Sequence, residues 1–415
     1  MRRRTKRKII RISLLIIILI IGAERLYNSQ AKFQTEAQEA SHYGIIDVRF
    51  TSSEKMTDFK HLKELLEERY PFIKVNERIN GIDWFHNERL YKRILKNTDG
   101  DGEYFVALQR IIGDLNDKDT FLLTGDDYRR FYLHYYPEKL DLFHNIRSQG
   151  RYNFFEGREN IKLDPNSNLI FYNGPVLETE KLIEGELAYM RIASMSHYHI
   201  EEDYPLIKDF LLDIKDYDKL IIDIRGNDGW ADEYWVKIME LLTDQTLSQD
   251  YYSFFKYNSP LKNDIYRLTG ITTVRDLDQE TLASFPPEVA EDMNFYKINT
   301  LEIHPNKELD FKGSVYLLVD GEVGAAAEKF AAFAKDTGFA TLVGQTTGGG
   351  MAFDEVPLYY FSYGGFMLRY SREMAMNTDG SINKEAGTIP HIVLEDVTIN
   401  EDLMKDKAVQ AVINN

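Results

Sequence analysis

The stretch VYLLVDGEVGAAAEKFAAFAKDTGFATLVGQTTGGG, residues 315–350, has the layout of a nucleophile-bearing turn. It reads as strand, tight turn, helix, second strand and glycine-rich loop. Hydrolases place an attacking side chain on such a turn because the helix N-terminus stabilises developing negative charge. Here the turn carries Val323, Gly324, Ala325, Ala326 and Ala327. None of these side chains can attack a carbonyl. The frame of a catalytic elbow is present and the nucleophile is not.

Two further blocks belong with it. KLIIDIRGNDGW, residues 219–230, reads as a strand followed by Asp-x-Arg-Gly-Asn-x-Gly, and EAGTIPHIV, residues 385–393, closes on Gly-x-x-Pro. With Leu318-Val319-Asp320, Ala327-Glu328, Leu342-Val343-Gly344 and Gln345-Thr346-Thr347-Gly348-Gly349, these blocks resemble the C-terminal processing, or tail-specific, serine peptidases, whose relatives include the tricorn core. The resemblance spans about residues 55–395 and is specific in its second half. It implies an α/β fold: a mixed βαβ core sheet of the tail-specific protease and crotonase-like type, preceded by an N-terminal helical domain. It also implies serine-type proteolysis without a metal or cofactor.

Residue by residue, the resemblance puts Ala325 where the family has its serine. One branch takes its base from a lysine in the glycine-rich loop, and that position is Gly350. The other branch uses a histidine in a Leu-x-Asp-Gly-His-Thr string. Here the string reads Leu115-Asn116-Asp117-Lys118-Asp119-Thr120, so Asp119 takes the histidine position. Gly226, Asn227, Gly229 and Trp230 form the oxyanion and substrate loop, with Trp230 replacing a glycine whose amide helps hold the oxyanion.

Acyl transfer by this route needs a hydroxyl and a base within hydrogen-bond reach. Alanine has no hydroxyl, and an ordinary aspartate is ionised and weakly basic at neutral pH. Losses in separate segments point to a naturally degraded site. The expected function is a pseudoprotease that binds a peptide or protein partner. The alternative is an active serine-type peptidase with a relocated nucleophile, for which Ser194, Ser196, Thr346 and Thr347 are the candidates.

Composition sets the background. A chain of 415 residues, 43% hydrophobic, is long enough for two or three domains and a sizeable core. Its 26 tyrosines and 24 phenylalanines read as packing. The net charge is −17, and leaving out the seven basic groups of residues 2–11 takes the remainder to −24. So acidic a body argues against nucleic-acid binding. Zero cysteines exclude a disulfide framework.

The basic run leads into an apolar segment, so residues 1–23 read as a signal-anchor or transmembrane segment. A cleaved signal peptide and a buried helix are the alternatives. Positive charge inside places the body outside the cytoplasm, membrane-anchored or, after cleavage, secreted.

The remainder divides into a linker (24–54), a helical domain (55–120), a β-rich connection (121–180) and the protease-like domain (181–415). The last carries an irregular insertion at about 245–310 marked by Pro260, Pro286, Pro287 and Pro305.

Other clusters carry blander readings. Asn97, Asp99 and Asp101 resemble the start of a calcium loop, but its twelfth position is Leu108. His197, His199 and Glu201 would share one face of an extended segment, yet nothing else supports a metal. Gly348–Gly350 lacks the Lys-Ser/Thr of a phosphate loop and reads as a flexible loop. Asp223, Arg225 and Asn227 fit either a hydrogen-bonded turn or a ligand-contacting loop.

Overall fold

The structure, a computed structural model, describes residues 51–135, 146–152, 176–256, 270–309, 311–355 and 357–415. Residues 1–50, and with them the expected membrane segment, lie outside these. Among the described residues no helix is long and apolar enough to cross a membrane. The chain forms two compact units. One draws on Met1–Glu64, Asn76–Asn160 and Leu358–Arg369, the other on Leu65–Val75, Ile161–Pro357 and Tyr370–Asn415.

The described chain begins with α1 (Ser52–Arg69) and α2 (Ile73–Asn80), whose adjoining ends (Leu65–Val75) belong to the second unit, and continues in the helical unit with α3 (Glu88–Lys96) and α4 (Asp101–Gly113). Phe59 of α1 packs on Trp84 and Tyr91, all three buried. Strand β1 (Phe121–Leu122), α5 (Gly125–Tyr135) and α6 (Ile146–Arg151) follow. The expected β-rich connection is therefore largely helical where it is described. Its signal is a capping box: Thr124 Oγ1 accepts from the Asp127 amide while Asp127 Oδ2 accepts from the Thr124 amide and hydroxyl.

The second unit starts with β2 (Leu177–Ile183), β3 (Leu187–Ile192), α7 (His197–Asp213), β4 (Lys219–Asp223) and α8 (Asp232–Leu242). It continues with β5 (Leu247–Phe255), β6 (Thr272–Thr273), α9 (Gln279–Ala283), α10 (Pro287–Asp292) and β7 (Phe295–Ile303). Then come β8 (Ser314–Val319), α11 (Ala325–Asp336) and β9 (Thr341–Gly344). The hairpin β10 (Leu358–Tyr360) and β11 (Met367–Arg369) joins β1 in the helical unit. Strand β12 (Glu373–Ala375), α12 (Asn383–Ala386), β13 (Ile392–Val393) and α13 (Lys407–Ile413) complete the chain.

The main sheet has the order β13-β9-β8-β4-β3-β2 and is parallel except for the antiparallel β2–β3 edge. Strand alternation gives it two buried faces. Leu220, Ile222, Leu317, Val319 and Leu342 pack with Trp235, Ile238, Phe330 and Phe333 of α8 and α11. Ile221, Leu318 and Val343 face Ala408, Val409 and Val412 of α13.

Where it is described, the stretch 245–310 is not irregular. Strands β5 and β7 pair antiparallel over nine residues each, within a second sheet of order β12-β5-β7-β6. Pro260 lies outside the described residues, Pro286 and Pro287 start α10, and Pro305 follows β7.

Candidate functional site

Strands β4, β8 and β9 are parallel neighbours, with Asp223 opposite Leu318 and Val319 opposite Gly344. The segments leaving their C-terminal ends therefore emerge along one edge of the sheet, where open α/β sheets bind ligands. They are the 224–230 loop, the 320–326 turn and the 344–350 loop.

The elbow is held as a sharp turn. Ala325 opens α11 with φ +50, a left-handed conformation costing a non-glycine residue about 1 kcal/mol. The turn is docked on the 226–229 loop through backbone bonds. The Gly324 amide donates to Asn227 O at 3.0 Å, and the Ala326 amide donates to Gly229 O at 2.8 Å. The second bond has a chemical consequence. The amide of the residue after a nucleophile position is the donor that would stabilise an oxyanion, and here a carbonyl occupies it.

The loop is rigidly built. Asn227 Oδ1 accepts from the amides of Gly229 at 2.9 Å and Met195 at 3.2 Å, while its Nδ2 donates to Ile192 O. Gly229 lies so close to Met195 that a Cβ would fall 2.3 Å from the Met195 carbonyl oxygen, which explains the glycine. Trp230 is half-buried and packs against the main core.

Asp223 and Arg225 form a structural clamp rather than a ligand-contacting loop. Asp223 accepts from the Arg225 guanidinium and from Tyr189 OH at 2.7 Å. The guanidinium also reaches both oxygens of Asp406, which caps α13 by accepting from the Ala408 and Val409 amides. The three charged side chains are fully buried.

The glycine-rich loop is tied down as well, contrary to the flexible loop expected. Gly348 N donates to Val323 O, and Thr347 N to Thr388 O. The Met351 amide donates to Asn383 Oδ1. Glu328, buried one turn into α11, accepts from Asn383 Nδ2 and Thr388 Oγ1, both at 2.7 Å. This tie between the elbow helix and residues 383–388 has no local sequence signature. Nearby, Lys329 Nζ donates to Asp232 and lies 5.7 Å from the Phe353 ring.

The structure thus brings together Ala325, Gly226, Asn227, Gly229, Trp230 and the loop ending in Gly350. Asp119 belongs to the helical unit, where its Oδ1 and carbonyl accept from Arg369 Nη1 at 2.9 and 2.8 Å. Among the relocation candidates, Thr347 Oγ1 accepts from the Thr388 amide and Thr346 is exposed. Ser194 and Ser196 flank Met195, whose carbonyl accepts from the Ala231 amide.

The remaining clusters resolve locally. His197 opens helix α7, so His197, His199 and Glu201 do not share the face an extended segment would give them. Asp101 is buried in an ion pair with Arg151 instead of starting a calcium loop. Among the described residues no group of His, Asp or Glu side chains is placed to hold a metal ion.

Comparison with known proteins agrees with this architecture. A Chlamydia pneumoniae protein is 23% identical over 211 residues, covering 43% of this chain and 34% of that protein. The chain thus spans about a third of the length of the curated relative it matches. Among solved structures, a candidate peptidase from Parabacteroides merdae superposes with TM-score 0.56 at 17% identity, over 87% of this chain and 96% of that one. Mature CPAF superposes with TM-score 0.50 at 14% identity, over 83% and 93%. At these identities the likeness shows the fold. The family model for peptidase family S41 matches residues 186–394, the segment holding the main sheet, the elbow and its loops, and the chain belongs to that family.

Proposed function

We propose that this S41-family protein binds a peptide or protein ligand around the elbow and does not hydrolyse it. The observation that carries the reading is the elbow itself. Ala325 keeps the left-handed geometry of a nucleophile position without a hydroxyl, and the adjoining Ala326 amide is given to Gly229 O. Asp119 and Gly350, the positions from which the resemblance draws a base, supply a salt-bridged carboxylate and no side chain. The ties through Asn227, Glu328 and Asn383 support binding, because they keep the surrounding loops preorganised. The basic and apolar N-terminal segment supports a body held at the membrane, outside the cytoplasm.

The test is to treat the full-length protein with a broad fluorophosphonate probe and an unstructured peptide. No labelling and no cleavage are expected. Stoichiometric labelling mapped to Ser194 or Ser196, which flank the residue docked on the Gly229 loop, would establish the relocated-nucleophile reading instead. External protease added to intact cells should remove the body. Protection until lysis would overturn the placement.

A further inference from the structure

Helix α3, with the sequence ERLYKRILK, turns two kinds of side chain to solvent. Tyr91 and Leu95 form its buried row. At about 100° per residue, Arg93 stands about 180° round the helix from that row. Leu90 and Ile94, 48% and 38% exposed, lie to one side of Arg93, and Arg89 and Lys96 lie to the other. An exposed apolar pair thus runs beside three exposed cations. None of Arg89, Arg93 and Lys96 has an ion-pair partner among the described residues. The acid of the helix, Glu88, is neutralised by Lys92 and by Lys63, the latter at 3.0 Å. Single exposed leucines are ordinary on a surface, whereas an apolar stripe flanked by unpaired cations on one helix is the pattern of a bilayer interface.

The same helix sits where the chain arrives from residues 1–50. Helix α1 starts at Ser52, and Lys55 in its first turn donates through Nζ to the carbonyl and the hydroxyl of Thr98, both at 2.8 Å. Lys55 is buried, and Thr98 follows α3 directly. The start of the helical unit is thereby pinned beside the C-terminal end of α3. Residues 24–50, between the apolar N-terminal segment and α1, can span at most about 95 Å. A weakly attractive face on a body so tethered meets the bilayer at high effective concentration. Charge then selects the face. The body is strongly acidic overall, so an anionic lipid surface repels most of it and attracts the outer side of α3.

We infer that the outer face of α3 docks the helical unit on an anionic lipid bilayer, an inference that rests on the membrane placement proposed above. Leu90 and Ile94 enter the headgroup boundary, while Arg89, Arg93 and Lys96 engage lipid phosphates. Each Lys or Arg near such a surface favours the docked state about fivefold, and the attraction fades as salt shortens the screening length. A tether alone leaves the helical unit free to rotate. Docking through α3 fixes which side of that unit faces the bilayer.

The chain has no cysteine, so Leu90→Cys provides a single labelling site for an environment-sensitive fluorophore. Labelled full-length protein is reconstituted into vesicles of phosphatidylcholine with or without phosphatidylglycerol. The fraction that floats with the vesicles is read for emission and for quenching by bilayer-borne nitroxide. The label should enter the bilayer when phosphatidylglycerol is present and return to water as salt rises from about 0.1 M to about 1 M. Arg89→Glu, Arg93→Glu and Lys96→Glu together should lower the docked-to-free ratio at least about tenfold while the protein still floats. Floated protein whose label stays in water would overturn the docking and leave the anchor standing. Protein that does not float would remove the anchor and the docking with it. A shifted emission that nitroxide does not quench, kept in the floated triple variant, would assign this face to a second copy of the chain instead.

Discussion

Restoring a hydroxyl with Ala325→Ser should not restore hydrolysis, and the deficit can be sized from the site. The serine would stand at φ +50 on the first residue of α11, where an elbow nucleophile belongs. Two functions would still be absent. Gly350 carries no amine to act as base, and a missing general base costs roughly 10²–10⁴ in rate. The Ala326 amide is engaged by Gly229 O at 2.8 Å, and the loss of one oxyanion donor costs roughly 10²–10³. Combined, these leave the variant roughly 10⁴–10⁷ below a competent site, or about 5–10 kcal/mol in the barrier. Intact-mass measurement after exposure to a fluorophosphonate probe, alongside hydrolysis of an unstructured peptide, should show the variant matching wild type. Adding Trp230→Gly, which frees the loop to turn an amide towards the elbow, should raise labelling to a trace. Rapid stoichiometric labelling of Ala325→Ser alone would refute the reasoning, because it would mean that a base and an oxyanion donor are already in place.

Arg225→Met would strand the Asp223 and Asp406 carboxylates in a fully buried site, costing about 3–5 kcal/mol. Calorimetry should record a melting temperature lower by on the order of 10 °C, and an unchanged transition would show that the clamp is not stabilising. Gly229→Ala forces a methyl to within 2.3 Å of the Met195 carbonyl oxygen, so it should cost about 1–3 kcal/mol and alter the emission of neighbouring Trp230. A neutral substitution there would mean that the 226–229 loop is not held as described. Burial raises the Glu373 carboxyl, against donors from Ser253 and from the Phe353 and Asp354 amides. Folding therefore takes up a proton at this site, and that contribution is lost as pH rises through the folded value. Glu373→Gln should flatten this part of the stability–pH curve, and a curve of wild-type slope would exclude Glu373 as its source.

The central frame was legible because its signals are local. Leu187–Ile192, Leu220–Ile224 and Val315–Val319 are apolar runs bounded by turn residues, and the alanine-rich stretch from Ala325 has helical composition. Once β4, β8 and β9 are parallel neighbours, the three loops leave one edge together, so the place of the candidate site follows from element order. The Thr124–Asp127 capping box is equally local, and it starts a helix where composition suggests a β-rich connection. The paired strands at 245–310 were hidden because antiparallel register is settled by a partner about 50 residues away, not by either strand alone. Sequence alone determined that no hydroxyl stands at position 325. Only the tertiary structure decided that the neighbouring amide is occupied, that Asp119 is spent on Arg369, and that Glu328 binds the elbow helix to Asn383 and Thr388. Those pairings join groups far apart along the chain, and a polar side chain buried by folding takes whichever partner the packed backbone brings within hydrogen-bond reach.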